Sequence, residues 1–365
     1  MGGYRSLRDL DWGLLVITLT ICALGILQIY SATHGTKFGN IWWKQVLYVT
    51  VGLGLLWLIA NIDYHTLLGQ VPVLYVGLIV LLFALLWIAT PVFGARSWIP
   101  LFGGFQFQVS EFGKLVIILL VARYLTNLRR DHLGGRELLK LSGLVAIPMA
   151  LILKQPDFGT AMTYLAILGV GVFLAGLRLR HILIVAVVAV VIPVVVYRFD
   201  LLLEHQRARL VSFLDPEADP RGSGYQVIQS KIAIGSGGMW GRGVSQGSQT
   251  QLRFLPVPHT DFVMATFAEE HGFVGVVAVL GLYMLLLLQI VQNAQTAPDR
   301  AGMYICMGVA ALLLVHLMVN VGMAVGRMPV TGIPLPLMSA GGSSMLTTFL
   351  MLGLVHNVRL RRFVN

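Results

Sequence analysis

Uninterrupted apolar runs long enough to cross a lipid bilayer fill this chain, and they fix its solvent before any other feature is considered. A spanning helix needs about 20 apolar residues at roughly 1.5 Å of rise each. Runs of this kind lie near residues 12–30, 41–60, 71–90, 263–292, 301–325 and 335–357. The stretch 112–198 is interrupted by Gly, Pro and charge. Arg129-Arg130, Lys154-Gln155-Pro156-Asp157 and Arg178-Leu179-Arg180 divide it into spans near 112–128, 138–153, 158–177 and 181–198. The fold class is therefore an all-α polytopic membrane protein of about ten transmembrane helices, one domain over 1–365. A large extracytoplasmic loop, about 199–262, separates helices seven and eight. It alternates apolar residues with turn formers, as in Phe213-Leu214-Asp215-Pro216, so it is expected to fold against the membrane domain.

Charge supplies the orientation. Only 12% of residues are charged, half the usual share of a soluble domain. Ten spans place both termini on one side. With the N-terminus inside, thirteen Lys and Arg fall on inner segments and six on short outer loops, the remaining seven of the 26 lying between Arg198 and Arg253. Long loops do not count in the positive-inside rule, so both termini are expected in the cytoplasm. The net charge of +10 is spread over short connections, which suits anionic lipid headgroups and not nucleic acid. Cys22 and Cys306 lie inside apolar runs, excluding a disulfide framework. The apolar run after the first eleven residues is too long for a signal-peptide core, so the first helix is expected to be retained.

Each charge inside a span costs roughly 2.5–3.5 kcal/mol on insertion scales and needs a reason. Glu111 and Lys114 are three residues apart at the outer start of a span, where they can form a structural ion pair or serve a site. Lys154 and Asp157 flank Pro156 at another outer break, with the same two readings. Asp261 precedes a long apolar helix, and periodicity alone favours it as an N-cap. Glu269 and Glu270 lie too deep in that helix for capping, so at least one must face the bundle interior or a wet cavity, and a functional cavity is the favoured reading. The segment from Arg327 to Pro336 holds three prolines and cannot begin as a regular helix, so it must line protein or a cavity. The Gly-rich string 234–241 lacks dinucleotide spacing, and no H-E-x-x-H zinc pattern occurs. His316 reads as a hydrogen-bonded core residue.

Three stretches together resemble the SEDS family (shape, elongation, division, sporulation). They are Gln155-Pro156-Asp157-Phe158-Gly159-Thr160; the loop from Phe213 through Gly224-Tyr225-Gln226 and Gln229-Ser230-Lys231-Ile232-Ala233 to His259-Thr260-Asp261; and Pro329-Val330-Thr331-Gly332-Ile333-Pro334-Leu335-Pro336 with Gly341-Gly342-Ser343-Ser344. The last wording resembles the elongation branch, RodA, more than the division branch, FtsW. The resemblance implies a peptidoglycan glycosyltransferase that polymerises lipid II into nascent glycan. Its implied partners are a class B penicillin-binding protein, the transpeptidase that cross-links the product, and other proteins of the elongation complex.

Carried over residue by residue, the resemblance makes Asp261 catalytic and places Glu111 and Lys114, in Ser110-Glu111-Phe112-Gly113-Lys114, beside the same cavity. Arg96 and Trp98 match a further outer-loop motif. Lys154, Gln155, Asp157, Ser230, Lys231, His259, Thr260, Ser339 and Ser343 complete the substrate-binding candidates. Val109, Ala340 and Arg327 depart from the family's usual Pro, aromatic and apolar residues. The chemistry needs a base for the acceptor hydroxyl and positive charge for the departing diphosphate, which Lys114, Lys154, Lys231 or Arg96 can supply. A divalent cation, Mg²⁺ or Mn²⁺, is compatible with a diphosphate. The rival readings are a lipid-linked precursor flippase and a noncatalytic cell-wall scaffold.

Overall fold

A computed structural model describes residues 10–36, 38–89, 97–100, 105–128, 133–176, 215 and 224–362. Its helices are α1 (Trp12–Thr33), α2 (Ile41–Asn61), α3 (Tyr64–Ile88), α4 (Val109–Thr126), α5 (Gly135–Lys154), α6 (Phe158–Leu174), α7 (Tyr225–Gly237), α8 (Ser248–Gln251), α9 (Val263–Gln295), α10 (Arg300–Ala324) and α11 (Gly342–Arg361). Among them α1, α2, α3, α9 and α10 are each long and apolar enough to cross a membrane. The protein is an all-helical membrane protein, with these five long spans and several shorter helices. The expected span 181–198 and most of 199–223 lie outside the described residues, as does Arg96.

Two boundaries and one element differ from the sequence reading. The third span starts at Tyr64 rather than 71, because Asp63 caps it by accepting the His65 N–H at 2.9 Å. The last helix starts at Gly342 and not at 335, since Pro334 and Pro336 hold that stretch irregular. A short antiparallel hairpin, β1 (Trp98–Pro100) and β2 (Gln106–Gln108), precedes α4, with Trp98 opposite Gln108 and Pro100 opposite Gln106.

Lipid is visible as the solvent in the outward faces of the helices. Trp87 (80% exposed), Phe173 (70%) and Val73 (69%) project from the bundle, a burial cost that water would make prohibitive for so many large apolar groups. Inside, α2 packs along α11, α1 against α9, and α10 against α4, α6 and α9.

The two ends of the bundle are polar in different ways. At one end the Asp11 carboxylate caps α1 and accepts from Gln289 Nε2 (3.1 Å), Asn293 Nδ2 (2.9 Å) and Arg359 Nη1 (2.7 Å). Beside it His65 bridges Asp63 and Asp299, and Arg361 reaches Asp63 at 3.0 Å. The Asp11–Arg359 pair brings the first and last described helices to the same end.

The opposite end carries α7, α8 and a break in α9. Gly272 has φ +66°, which splits α9 and frees backbone groups on either side. Four hydrogen bonds from the segment 238–243 take them up. Arg242 and Gly243 N–H donate to Glu269 and Glu270 carbonyls (both 2.9 Å), and Phe273 and Val274 N–H donate to Gly238 and Met239 carbonyls (2.9 and 3.2 Å). A Cβ on Gly241 would lie 2.2 Å from the Glu270 oxygen, so only glycine permits this approach. Non-helical backbone at membrane depth is tolerated because protein satisfies it.

Candidate functional site

The site is built around one irregular strap, residues 325–341, threaded between α10 and the turn that precedes α9. Asp261 lies in that turn. The helix begins at Val263 with Phe262 in the N-cap position and no side-chain cap bond. The N-cap position that periodicity favoured for Asp261 is thus taken by Phe262. The backbone around Asp261 is fixed. The carbonyls of His259, Thr260 and Asp261 each accept one hydrogen bond, from Ala340 N–H (2.9 Å), Ser339 Oγ (2.6 Å) and Asn320 Nδ2 (3.0 Å). Three successive carbonyls held this way leave the turn little freedom, while the Asp261 side chain stays half-buried, with its Oδ2 beside Gly332. His259, also half-buried, packs its ring 5.6 Å from Phe38, and burial lowers its pKa, keeping it neutral near pH 7.

Behind the strap lies a second charged group. Lys114 is 1% exposed and Glu111 4%, and Lys114 Nζ donates to Glu111 Oε1 at 2.5 Å. Lys114 also lies 3.1 Å from His316 Nε2, whose Nδ1 is 3.1 Å from the Pro334 carbonyl. With Nδ1–H donating to that carbonyl, Nε2 is left as acceptor for the ammonium. His316 and Asn320 are one turn apart on the same face of α10, and Asn320 Nδ2 donates to the Ile333 carbonyl (2.9 Å) as well as to Asp261. One helix face thus holds Lys114, the strap and the Asp261 turn in register. Ser344 and Thr348 also border the Glu111–Lys114 pair, and the packing there leaves no room for a water molecule.

The remaining candidates separate by their partners. Ser343 is buried; its Oγ donates to Gln106 O and accepts the Gln108 N–H, pinning the hairpin that carries Trp98. Ser339 Oγ is taken up between Thr260 and Leu335. Ser230 is wholly buried and donates to Ala324 O at 2.6 Å, while Gln155 is wholly buried and donates to Leu82 O at 2.8 Å. These four side chains hold backbone, which gives them a positioning role. Asp157 caps α6 through the Thr160 N–H (3.1 Å) and accepts Gln108 Nε2 (2.9 Å), so it too fixes structure. Lys154 and Lys231 are exposed, Lys231 lying over Gly326 at the start of the strap. Thr260 is half-buried. Among the described residues no three His, Cys, Asp or Glu side chains gather as a metal site.

Glu269 and Glu270 do not face a functional cavity. Glu269 is fully buried and accepts from Gln249 N–H (2.7 Å), Thr250 N–H (3.1 Å) and Thr250 Oγ1 (2.7 Å). Glu270 accepts from Ser31, from Gln28 (3.1 Å) and from the Ser245 N–H (3.2 Å). Both carboxylates fasten the loop to α9 and α1, and acceptance of several donors is what makes their burial tolerable. Sequence reasoning missed Asn320 and left out His316; the available signal was a polar side chain in an apolar run.

A family model described as "Cell cycle protein", covering FtsW, RodA and SpoVE, matches residues 12–362. The chain belongs to this family. As a member of the SEDS family it is 39% identical to the peptidoglycan glycosyltransferase MrdB of Escherichia coli, over 97% of this chain and 94% of that one. It is 34% identical to the peptidoglycan glycosyltransferase RodA of Treponema pallidum, covering 98% and 99%. The fold matches, with a TM-score of 0.84 and 36% identity over 98% and 99% of the two chains, a chain from "Structural coordination of polymerization and crosslinking by a peptidoglycan synthase complex". It also matches the crystal structure of Thermus thermophilus RodA at a TM-score of 0.73 and 31% identity, over 98% of each chain. This SEDS chain is a multi-pass membrane protein and a peptidoglycan glycosyltransferase.

Proposed function

We propose that this enzyme belongs to the elongation branch and polymerises lipid II on the outer face of the bacterial cytoplasmic membrane, with Asp261 as general base. The observation that carries the proposal is the pairing of a rigidly held turn with a half-buried carboxylate at its tip. A base that must take a proton from the acceptor sugar's 4-hydroxyl has to be positioned and reachable, and Asp261 is both. The acceptor oxygen attacks the donor's anomeric carbon as the bond to the polyprenyl diphosphate breaks, and the configuration inverts because displacement is direct. The attacking side then needs one carboxylate, unlike retaining hydrolysis.

Exposed Lys231 and Lys154 and the buried Lys114, with Arg96 from its outer loop, supply positive charge for the departing diphosphate. A divalent cation would have to arrive with that diphosphate. The product strand is handed to a class B penicillin-binding protein, in keeping with the likeness to a peptidoglycan synthase complex. The charge asymmetry of the short connections supports cytoplasmic termini.

The test is polymer formation from labelled lipid II by purified, folded Asp261→Asn protein. No glycan should form. Polymer of normal length and yield would refute the assignment.

A further inference from the structure

At the end of the bundle opposite Asp261, α3, α4 and α5 border an open groove of about 500 Å³ that the polymerisation chemistry does not use. Its origin is in the sequence. Pro72 inside α3 and Pro148 inside α5 each lack an N–H, which frees the carbonyls four residues earlier, Leu68 and Leu144. Both are taken up by side chains from neighbouring helices. Arg123 Nη1 donates to Leu68 O (2.5 Å) and Gly69 O (2.8 Å), and Tyr75 Oη donates to Leu144 O (2.7 Å). Two broken helices, each repaired from the side, border the gap.

The lining is amphipathic. Val71, Val76, Leu120 and Leu144 supply apolar surface, and Arg123, Tyr124, Lys140 and Glu137 supply the charged and polar surface, the last three linked through Glu137. Arg123 spends only one nitrogen on the carbonyls. A guanidinium has five N–H donors, and among the described residues none takes the three on Nε and Nη2, which can serve an anion. Glu137 accepts Tyr124 Oη at 2.6 Å and lies 3.7 Å from Lys140, and the described lining residues, Arg123, Lys140 and Glu137, carry one net positive charge.

We infer that this groove binds one anionic phospholipid, its phosphate on Arg123 and Lys140 and an acyl chain along the apolar surface of Val71 and Leu144. Basic groups beside apolar surface in one groove between helices match a charged headgroup joined to a hydrocarbon tail, and neither half alone explains the other. A zwitterionic lipid fits the apolar surface but brings its own cation to the basic groups. Free phosphate fits the basic groups but leaves the apolar surface uncovered. Each cation is expected to supply about fivefold of preference for the anionic headgroup.

Purified full-length protein would be examined by native mass spectrometry and thermal unfolding in detergent with added phosphatidylglycerol, phosphatidylcholine or inorganic phosphate. Phosphatidylglycerol should be retained as one tightly held molecule and raise the unfolding temperature, and the other two should not. Lys140→Gln, at an exposed position, should cut the anionic preference about fivefold. Leu144→Trp, which fills the groove, should abolish retention. Arg123→Gln is the less informative variant because it also uncaps Leu68. Equal retention of phosphatidylcholine, a matching shift with phosphate alone, or undiminished phosphatidylglycerol retention by Leu144→Trp would each overturn the inference.

Discussion

Lys114→Met is the perturbation whose cost the structure sets most directly. The ammonium and the Glu111 carboxylate are 2.5 Å apart, and both side chains are almost wholly buried. At an effective dielectric of about 20 the gross attraction is about 7 kcal/mol, set against a desolvation penalty of several kcal/mol for each ion. The intact pair is therefore close to neutral for stability. Removing Lys114 alone deletes the attraction but leaves the buried carboxylate, and it strips the His316 Nε2 acceptor of its donor. The expected loss is about 3–5 kcal/mol. Glu111→Gln/Lys114→Met removes both charges and should regain all but about 1–2 kcal/mol, the residual cost of imperfect hydrogen bonding. Thermal unfolding in detergent reads this directly, with a fall of roughly 5 °C or more for the single variant and recovery in the double. Polymer synthesis from lipid II should be impaired in both, separating the function of the pair from its contribution to folding. A single variant as stable as the parent, or a double variant no better than the single, would refute the account of Glu111 and Lys114 as a coupled buried pair.

Three further outcomes are expected. Asn320→Ala removes the donor shared by Asp261 and Ile333 carbonyls, so kcat for polymer formation should fall at least tenfold with Asp261 intact, alongside a stability loss of about 1–3 kcal/mol. Glu269→Gln turns an N–H₂ toward the donors of Gln249 and Thr250, and limited proteolysis should then cleave within 238–257 under conditions where the parent is resistant. At Asp11 burial pushes the carboxyl pKa up, but hydrogen bonds from Asn293, Gln289 and the Leu14 N–H and the Arg359 charge outweigh it, holding the group below its ordinary value. A carboxyl depressed in the folded state stabilises above its unfolded pKa of about 3.9 and loses that contribution as pH falls through the folded value. Asp11→Asn should therefore flatten the acid limb of the unfolding-temperature profile and lower its plateau.

Much of the architecture was legible in the chain because lipid admits few solutions. Apolar length located the spans, and proline marked 327–344 as unable to begin as regular helix, although the apolar run from 335 was read as span and the structure keeps 325–341 irregular. The motif stretches singled out Asp261, Glu111 and Lys114 by resemblance. The carboxylates themselves were harder to rank. Periodicity favoured Asp261 as a cap, where Phe262 holds the N-cap position, and it favoured a cavity for Glu269 and Glu270, which turn inward because a carboxylate's role depends on which donors reach it. Those donors are distant in sequence, Glu269 finding Gln249 and Thr250, and Glu270 finding Gln28 and Ser31.

What the sequence by itself determined is the solvent and the helical class, since each follows from local length, period or composition. Only the tertiary structure decided which polar side chains hold backbone and which face an opening. Ser230, Gln155, Ser339 and Ser343 look like ligands in one dimension and become fasteners in three. The physical reason is that a buried hydrogen-bonding group must be satisfied by whatever the fold brings within about 3 Å, and that neighbour is chosen by helix packing, not by the residues beside it in the chain.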